Sequence, residues 1–126
     1  MVVGLGGLTA LVVLNGLAYQ YFWYWKHYWA DIPMHLLGGL TIIALVLFGA
    51  KKPTRLWPAL GLLLLVSVAW ELFEFKFSHF LPYQVMFKAL PMWERGLADT
   101  FSDILFDVLG GLLAYGILNN DQEIKT

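Results

Sequence analysis

The sequence has 126 residues, of which 60% are hydrophobic and 13% are charged, and its formal net charge is −1. This balance leaves too little polar surface to coat a soluble domain of this size, so the composition indicates a membrane protein. The sequence contains no cysteine and no long basic run, which excludes disulfides, thiolate metal sites and cysteine nucleophiles and gives no argument for nucleic-acid binding.

Four apolar stretches approach the ~20 residues that a membrane-spanning helix needs. They predict an all-α, polytopic four-helix bundle that forms a single transmembrane domain. The predicted spans are approximately residues 2–24, 32–50, 56–75 and 97–118. The first stretch is glycine-rich and lacks the basic region and the cleavage site of a signal peptide, so we expect a retained helix that ends in an aromatic belt at a membrane surface.

The second span begins with Asp31 and carries His35 four residues later, on the same helix face. Asp31 is placed to cap this helix, with Pro33 in the first turn, where proline is tolerated. An Asp and a His at this spacing can also share a cation or a proton. The sequence therefore leaves Asp31 open as a cap or as a ligand.

The loop between the second and third spans predicts the orientation in the membrane. Residues 51–55 hold three basic side chains and no acidic one, which is typical of a short cytoplasmic loop. Four spans then place both termini in the cytoplasm of what we expect to be a prokaryotic plasma membrane. The longer connection over residues 76–96 would lie outside, as an interfacial segment that covers the outer mouth of the bundle.

Carboxylates recur on single faces of the third and fourth spans. At about 100° per residue, Asp99, Asp103 and Asp107 fall within roughly 80° of one another. Ser67, Glu71 and Glu74 fall within roughly 60°. Because a charged residue deep in a bilayer costs ~2.5–3.5 kcal/mol or more, these groups need partners, protons or a metal ion.

The predicted topology gathers these groups, with His35, in the outer half of the membrane. Oxygen ligands with one His suit Mg²⁺, Mn²⁺, Ca²⁺ or Zn²⁺. We therefore predict one divalent cation on a defined set of ligands, with a base beside it and basic residues at the mouth for a phosphate. The predicted metal ligands are His35, Glu71, Asp99 and Asp103, the catalytic carboxylates are Glu74 and Asp107, and the substrate-binding residues are Arg95 and Lys76.

Pairs of glycines in the second and fourth spans predict where these helices meet. In the predicted topology, Gly38 and Gly39 lie at about the same depth in the membrane as Gly110 and Gly111. Small residues let helix backbones approach closely, so we expect contact just below the acidic cluster.

The order of these motifs resembles the VanZ-like group of small integral membrane proteins and their YjdF-type relatives over about residues 31–111. Asp31-x-x-x-His35 is similar to the Asp-Lys-x-x-His of that group, and Glu71-x-x-Glu74 to its Glu-x-x-Gln. Asp103-x-x-x-Asp107-x-x-Gly110 is similar to its Asp-x-x-x-Asn-x-x-Gly. The departures are Glu74 for Gln, Asp107 for Asn, and a longer distance between the Arg and the Asp of the last motif. The resemblance implies a multi-span protein of the cell envelope, sometimes linked to glycopeptide tolerance.

Three functions are compatible with the sequence. The first is a metal-dependent hydrolase or transferase that acts on a lipid or polyprenyl phosphate at the outer leaflet. The second is a structural or binding subunit of a homo-oligomer or a larger membrane complex. The third is a cation or proton pathway with Asp99, Asp103 and Asp107 as its relay. The residues leave open whether the protein is an enzyme. The predicted cytoplasmic half offers few polar groups, which argues against a path through the whole membrane.

Overall fold

The structure is a computed structural model, and it describes residues 2–50, 55–80 and 97–123. Within these ranges the chain is helical and forms no strand, which confirms the predicted all-α membrane bundle. The α-helices are α1 (Val2–Gln20), α2 (Trp23–Lys26), α3 (Asp31–Gly49), α4 (Leu56–Phe80) and α5 (Leu97–Glu123), and a 3₁₀ turn (Tyr28–Ala30) precedes α3.

Three of these helices are long and apolar enough to cross a membrane. They contain the segments Asp31–Gly49, Leu56–Glu74 and Leu97–Asn119. The apolar part of α1, Val2–Ala18, is shorter. A fourth span at the N-terminus therefore stays a prediction, whereas the three others match the expected positions, with α4 and α5 extending a few residues beyond the predicted ends.

The first helix ends earlier than its apolar pattern predicts. Phe22 adopts a left-handed conformation (φ 60°, ψ 37°) between α1 and α2. This conformation costs a non-glycine residue roughly 1–2 kcal/mol. It is compensated by the packing of the corner, where the Tyr24 hydroxyl donates a hydrogen bond to the Asn15 side-chain oxygen. Tyr24 also packs into a buried cluster with Ala18, Ala30 and Met34.

Helices α3 and α5 run parallel and touch through their backbones. A Cβ atom added at Gly39 would clash with the backbone carbonyl of Asp107, and one added at Gly110 would clash with the backbone carbonyl of Leu36. The predicted close approach of these two helices is therefore confirmed at Gly39 and Gly110. Gly111 instead faces side chains, those of Leu63 and Ile43.

The remaining helices pack in an up-and-down order around this pair. Helix α1 runs antiparallel to α3, with Gly4 against Leu45 and Gly7 against Thr41. Helix α4 contacts both α5 and α3 and is antiparallel to them. At one end of the bundle, the buried side chains of these three helices form an apolar core. Its members are Ile43, Leu47, Ala59, Leu63 and Ala114.

We call this the apolar end, and we call the opposite end, where α3 and α5 begin, the site end. Two sequence-based expectations lie outside the described residues. These are the basic loop at 51–54 and the interfacial connection at 81–96.

Candidate metal centre

His35 lies at the centre of a ring of carboxylates contributed by three helices. Its Nε2 atom is 3.7 Å from Oδ1 of Asp31, 3.9 Å from Oδ2 of Asp103 and 4.0 Å from Oε1 of Glu71. Its Nδ1 atom is 3.4 Å from Oδ2 of Asp107. The imidazole and all three Asp side chains are at most 8% exposed. The predicted meeting of His35, Glu71 and Asp103 is present in the structure.

The two nitrogens of His35 have different surroundings. Nδ1 faces a single carboxylate, Asp107, whereas Nε2 faces three. Carboxylates that accept a hydrogen bond from one nitrogen of a metal-binding His fix its tautomer and orientation, leaving the other nitrogen as the ligand. Asp107 is placed for that role, and Nε2 is placed to bind a cation.

The spacing around Nε2 suits an ion better than direct hydrogen bonds. Hydrogen bonds from nitrogen to oxygen are ordinarily about 2.7–3.2 Å long, so the 3.7–4.0 Å separations here exceed them. Ligand atoms that each lie about 2.1 Å from one tetrahedral metal ion are about 3.4 Å apart. A cation between Nε2 and the three carboxylates would thus draw the ligands inward by a small amount.

Two groups of side chains offer ligand atoms that lie within 4.8 Å of one another. The first, which we call the floor set, consists of Asp31, His35 and Asp103, all buried. The second, which we call the rim set, consists of His35, Glu71 and Glu74, with both Glu residues partly exposed. The cluster is therefore closed on the side of α3 and α5 and more open toward the end of α4.

Local helix geometry explains why these residues meet. Asp31 and His35 are one turn apart on α3, and Asp103 and Asp107 are one turn apart on α5. The backbone contact at Gly39 and Gly110 brings the two turns together. Asp31 lies inside the first turn of α3, where a carboxylate is favoured by the helix dipole, while Ala30 occupies the capping position. Its carboxylate points toward His35, as the ligand reading of Asp31 requires.

Two polar residues of the site lie outside the predicted ligands. Thr100, in the first turn of α5, lies beside the Glu71 carboxylate. Thr100 directly follows Asp99 in the first turn of α5, and this position is the feature of the sequence that could have indicated its place in the site. The Ser67 hydroxyl, on a residue that is 2% exposed, has no hydrogen-bond partner among the described residues. It lies one turn from Glu71 on the same face of α4.

The other predicted residues fall in three places. Glu74 belongs to the rim set. Asp99 is half-buried one turn before Asp103 and belongs to neither set. Lys76 is exposed on α4, and Arg95 lies outside the described residues. The ligand role of Asp99 and the substrate roles of the two basic residues stay predictions.

The cluster ends abruptly toward the apolar end. Gly111, one turn beyond Asp107, contacts Leu63 and Ile43, and these two side chains are fully buried. The apolar core continues from there to Leu47 and Ala114. As far as Leu118 of α5, the Asp, Glu and His residues of the described parts of these three helices lie toward the site end, and Asp121 and Glu123 follow only near the far end of α5.

Comparisons with known proteins identify a family. No match was found among the curated proteins or among the solved structures. A family described as "Predicted membrane protein (DUF2238)" matches residues 4–121, which include every residue of the cluster. The helical, apolar architecture agrees with that description. The chain therefore belongs to the DUF2238 family of membrane proteins.

Proposed function

We propose that this protein binds a divalent cation within the membrane and uses it to act on a lipid or polyprenyl phosphate. The observation that carries the proposal is the convergence of Asp31, Asp103 and Glu71 on a single nitrogen of His35. One nitrogen and several carboxylate oxygens form a ligand set suited to Mg²⁺, Mn²⁺, Ca²⁺ or Zn²⁺.

The chemistry expected of such an ion fits the remaining groups of the cluster. A bound cation would polarise a phosphoryl oxygen and make a bound water a stronger nucleophile. Glu74 lies at the more open side of the cluster, where it could accept a proton from that water. Asp107 would act through His35, by orienting the imidazole, more readily than as the base itself.

The position of the cluster at one end of the bundle favours this proposal over a conduction pathway. A pathway for ions or protons needs polar groups through the whole thickness of the membrane. The buried members of the apolar core beneath the cluster, which are Ile43, Leu47, Ala59, Leu63 and Ala114, supply none. A site that binds a ligand from one membrane face needs no such path.

The test is the response of the purified protein to metals. After chelation, we would measure the melting temperature in detergent against Mg²⁺, Mn²⁺, Ca²⁺ and Zn²⁺. An ion at a hundredfold excess over its Kd should stabilise the folded state by about 2.7 kcal/mol. Asp103→Asn should lose most of this stabilisation, because it removes a ligand charge from the buried floor set.

The matched control is Asp121→Asn, which removes the same charge from α5 at a position 14 residues beyond Asp107, about 21 Å along the helix axis. It should respond to metal like the wild type. If no metal shifts the wild type, or if Asp103→Asn responds as strongly as Asp121→Asn, the cation site is wrong. A core of protonated carboxylates would then be the better explanation.

The orientation and location belong to the same proposal. With residues 51–55 in the cytoplasm, the cluster would face the outer leaflet of a prokaryotic plasma membrane, where Lys76 and Arg95 could meet a phosphate headgroup. The resemblance to the VanZ-like group supports a role in the cell envelope. Cysteines introduced at Lys52 and Gln84 test this orientation, because a reagent that cannot cross the membrane should label only the second. Labelling of the first from outside would reverse it.

A further inference from the structure

The carboxylates around His35 exceed what one cation needs. The floor set and the rim set share only His35. Nδ1 of this His faces Asp107, so Nε2 alone is available as a metal ligand, and one nitrogen binds one cation. When His35 completes the floor set, Glu71 and Glu74 remain as a separate pair of oxygen ligands beside it.

We propose that the cluster binds two divalent cations side by side. The first is held by Nε2 of His35 with Asp31 and Asp103, and the second is held by Glu71 and Glu74. Glu71 is the bridge between them, because its Oε1 atom lies 4.0 Å from Nε2 of His35 while Glu74 is its neighbour in the rim set. This inference rests on the proposed function and extends it.

Charge is the first argument for a second cation. The two sets together with Asp107 contain five carboxylates and one His. Fully ionised carboxylates would carry five negative charges, of which one divalent cation balances only two. An uncompensated charge in a membrane interior is costly, and a second cation balances two more.

Unsatisfied oxygen atoms on the α4 side of the cluster are the second argument. Oε1 of Glu71 is buried and makes no hydrogen bond within the described residues, and neither does the Ser67 hydroxyl. Ser67 lies between Leu63 and Glu71 on one face of α4. Because Leu63 meets Gly111 and Glu71 meets His35, this face is turned toward α3 and α5. Ser67 thus adds a buried oxygen atom one helical turn from Glu71, on the face of α4 that is turned toward the cluster.

Two cations also decide the class of substrate. With one divalent ion the five carboxylates would keep three uncompensated negative charges, and with two ions they would keep one. In enzymes that use two metals, the ions lie about 3.5–4 Å apart and together hold an anionic phosphoryl group. The second cation would thus reduce the repulsion of a phosphate ester and offer it a second positive centre to bind.

The experiment is a metal count on the full chain in detergent with Mn²⁺ as the probe. Equilibrium dialysis should give two Mn²⁺ per wild-type chain, and electron paramagnetic resonance should show the spin coupling of two adjacent ions. Glu74→Gln should retain one Mn²⁺ with an uncoupled six-line signal. Asp121→Asn, the charge-matched control on α5, should retain two coupled ions.

The outcomes separate this inference from the proposed function. One Mn²⁺ per wild-type chain would overturn the second site and leave the first. Two Mn²⁺ ions without spin coupling would overturn the adjacent arrangement, as would two coupled ions in Glu74→Gln. No bound Mn²⁺, together with no thermal shift from any of the four metals, would overturn both proposals. The count and the spectrum of the wild type decide the matter even if a variant fails to fold.

Discussion

The site end and the apolar end of the bundle are built from the same three helices but are held together by different forces. At the site end, α3, α4 and α5 surround His35 with four carboxylates at 3.4–4.0 Å. At the apolar end the same helices bury Ile43, Leu47 and Leu63 completely. The packing of the apolar end therefore fixes the helices, so that the site end can hold groups that would repel one another.

Between the two ends lies the backbone contact of α3 and α5, and its loss should have the largest effect. Gly110→Leu would drive a side chain into the backbone of Leu36 and separate both ends at once. We expect a destabilisation of more than about 4 kcal/mol, which is exceptional for a single substitution, measured by unfolding in detergent. The folded fraction of the purified variant gives a second readout.

Two substitutions on the same helix serve as controls for Gly110→Leu. A Cβ atom at Gly116 would meet no other atom within 4 Å, and Leu113 is 55% exposed. Gly116→Leu and Leu113→Phe should each change stability by less than about 1 kcal/mol, as surface substitutions usually do. Equal effects at the three positions would mean that the helices do not touch at Gly110.

The second largest effect tests the apolar end alone. Leu63 is fully buried against Gly111, so Leu63→Ala leaves a cavity and should cost about 2–4 kcal/mol. Leu65 lies on the opposite face of the same helix and is 69% exposed, so Leu65→Ala should cost far less stability. If the two variants unfold alike, α4 does not contribute to the core as described.

The sequence predicts part of the side-chain cluster at the site end. Helical periodicity puts Glu71 and Asp103 on defined faces, and alternating spans bring them to the level of His35, so their meeting was predictable. The pattern predicts Asp99 as a ligand and leaves Asp31 open as a cap or a ligand, but inter-helix distances, which no local pattern encodes, decide which carboxylate reaches the His. Asp31 lies in the floor set, whereas Asp99 lies a turn away from it.

Other features depend on tertiary contacts that no local pattern encodes. Phe22 has no intrinsic preference for a left-handed conformation, so the end of α1 at Gln20 could not be predicted from the apolar run. The division of His35 between Asp107 on one nitrogen and three carboxylates on the other likewise depends on how closely α5 approaches α3. The spacing of the glycines predicts that the two helices approach closely, but it does not predict which backbone atoms meet.

A substitution at Asp107 tests whether the site end depends on the orientation of His35. Asp107→Leu removes the carboxylate that faces Nδ1, and the loss of such a partner typically lowers metal affinity 10–100-fold. Asp107→Asn retains an oxygen that can accept the hydrogen bond, so its effect should be smaller. Titration with Mn²⁺ measures both. The same affinity in Asp107→Leu and in the wild type would show that Asp107 does not position the His.

The smallest effect concerns a polar group packed between α1 and α3. The Thr41 hydroxyl is buried, lies against Gly7, and has no hydrogen-bond partner among the residues described. A buried polar group without a partner costs about 1–3 kcal/mol, so Thr41→Val, which keeps the shape of the side chain, should stabilise the protein by about 1 kcal/mol. The control is Thr9→Val, because the exposed Thr9 hydroxyl donates a hydrogen bond to the Leu5 carbonyl at 2.9 Å and its loss should bring no gain. Unfolding in detergent compares the two. A clear destabilisation by Thr41→Val would show that this hydroxyl has a polar partner, and that polar contacts extend beyond the site end.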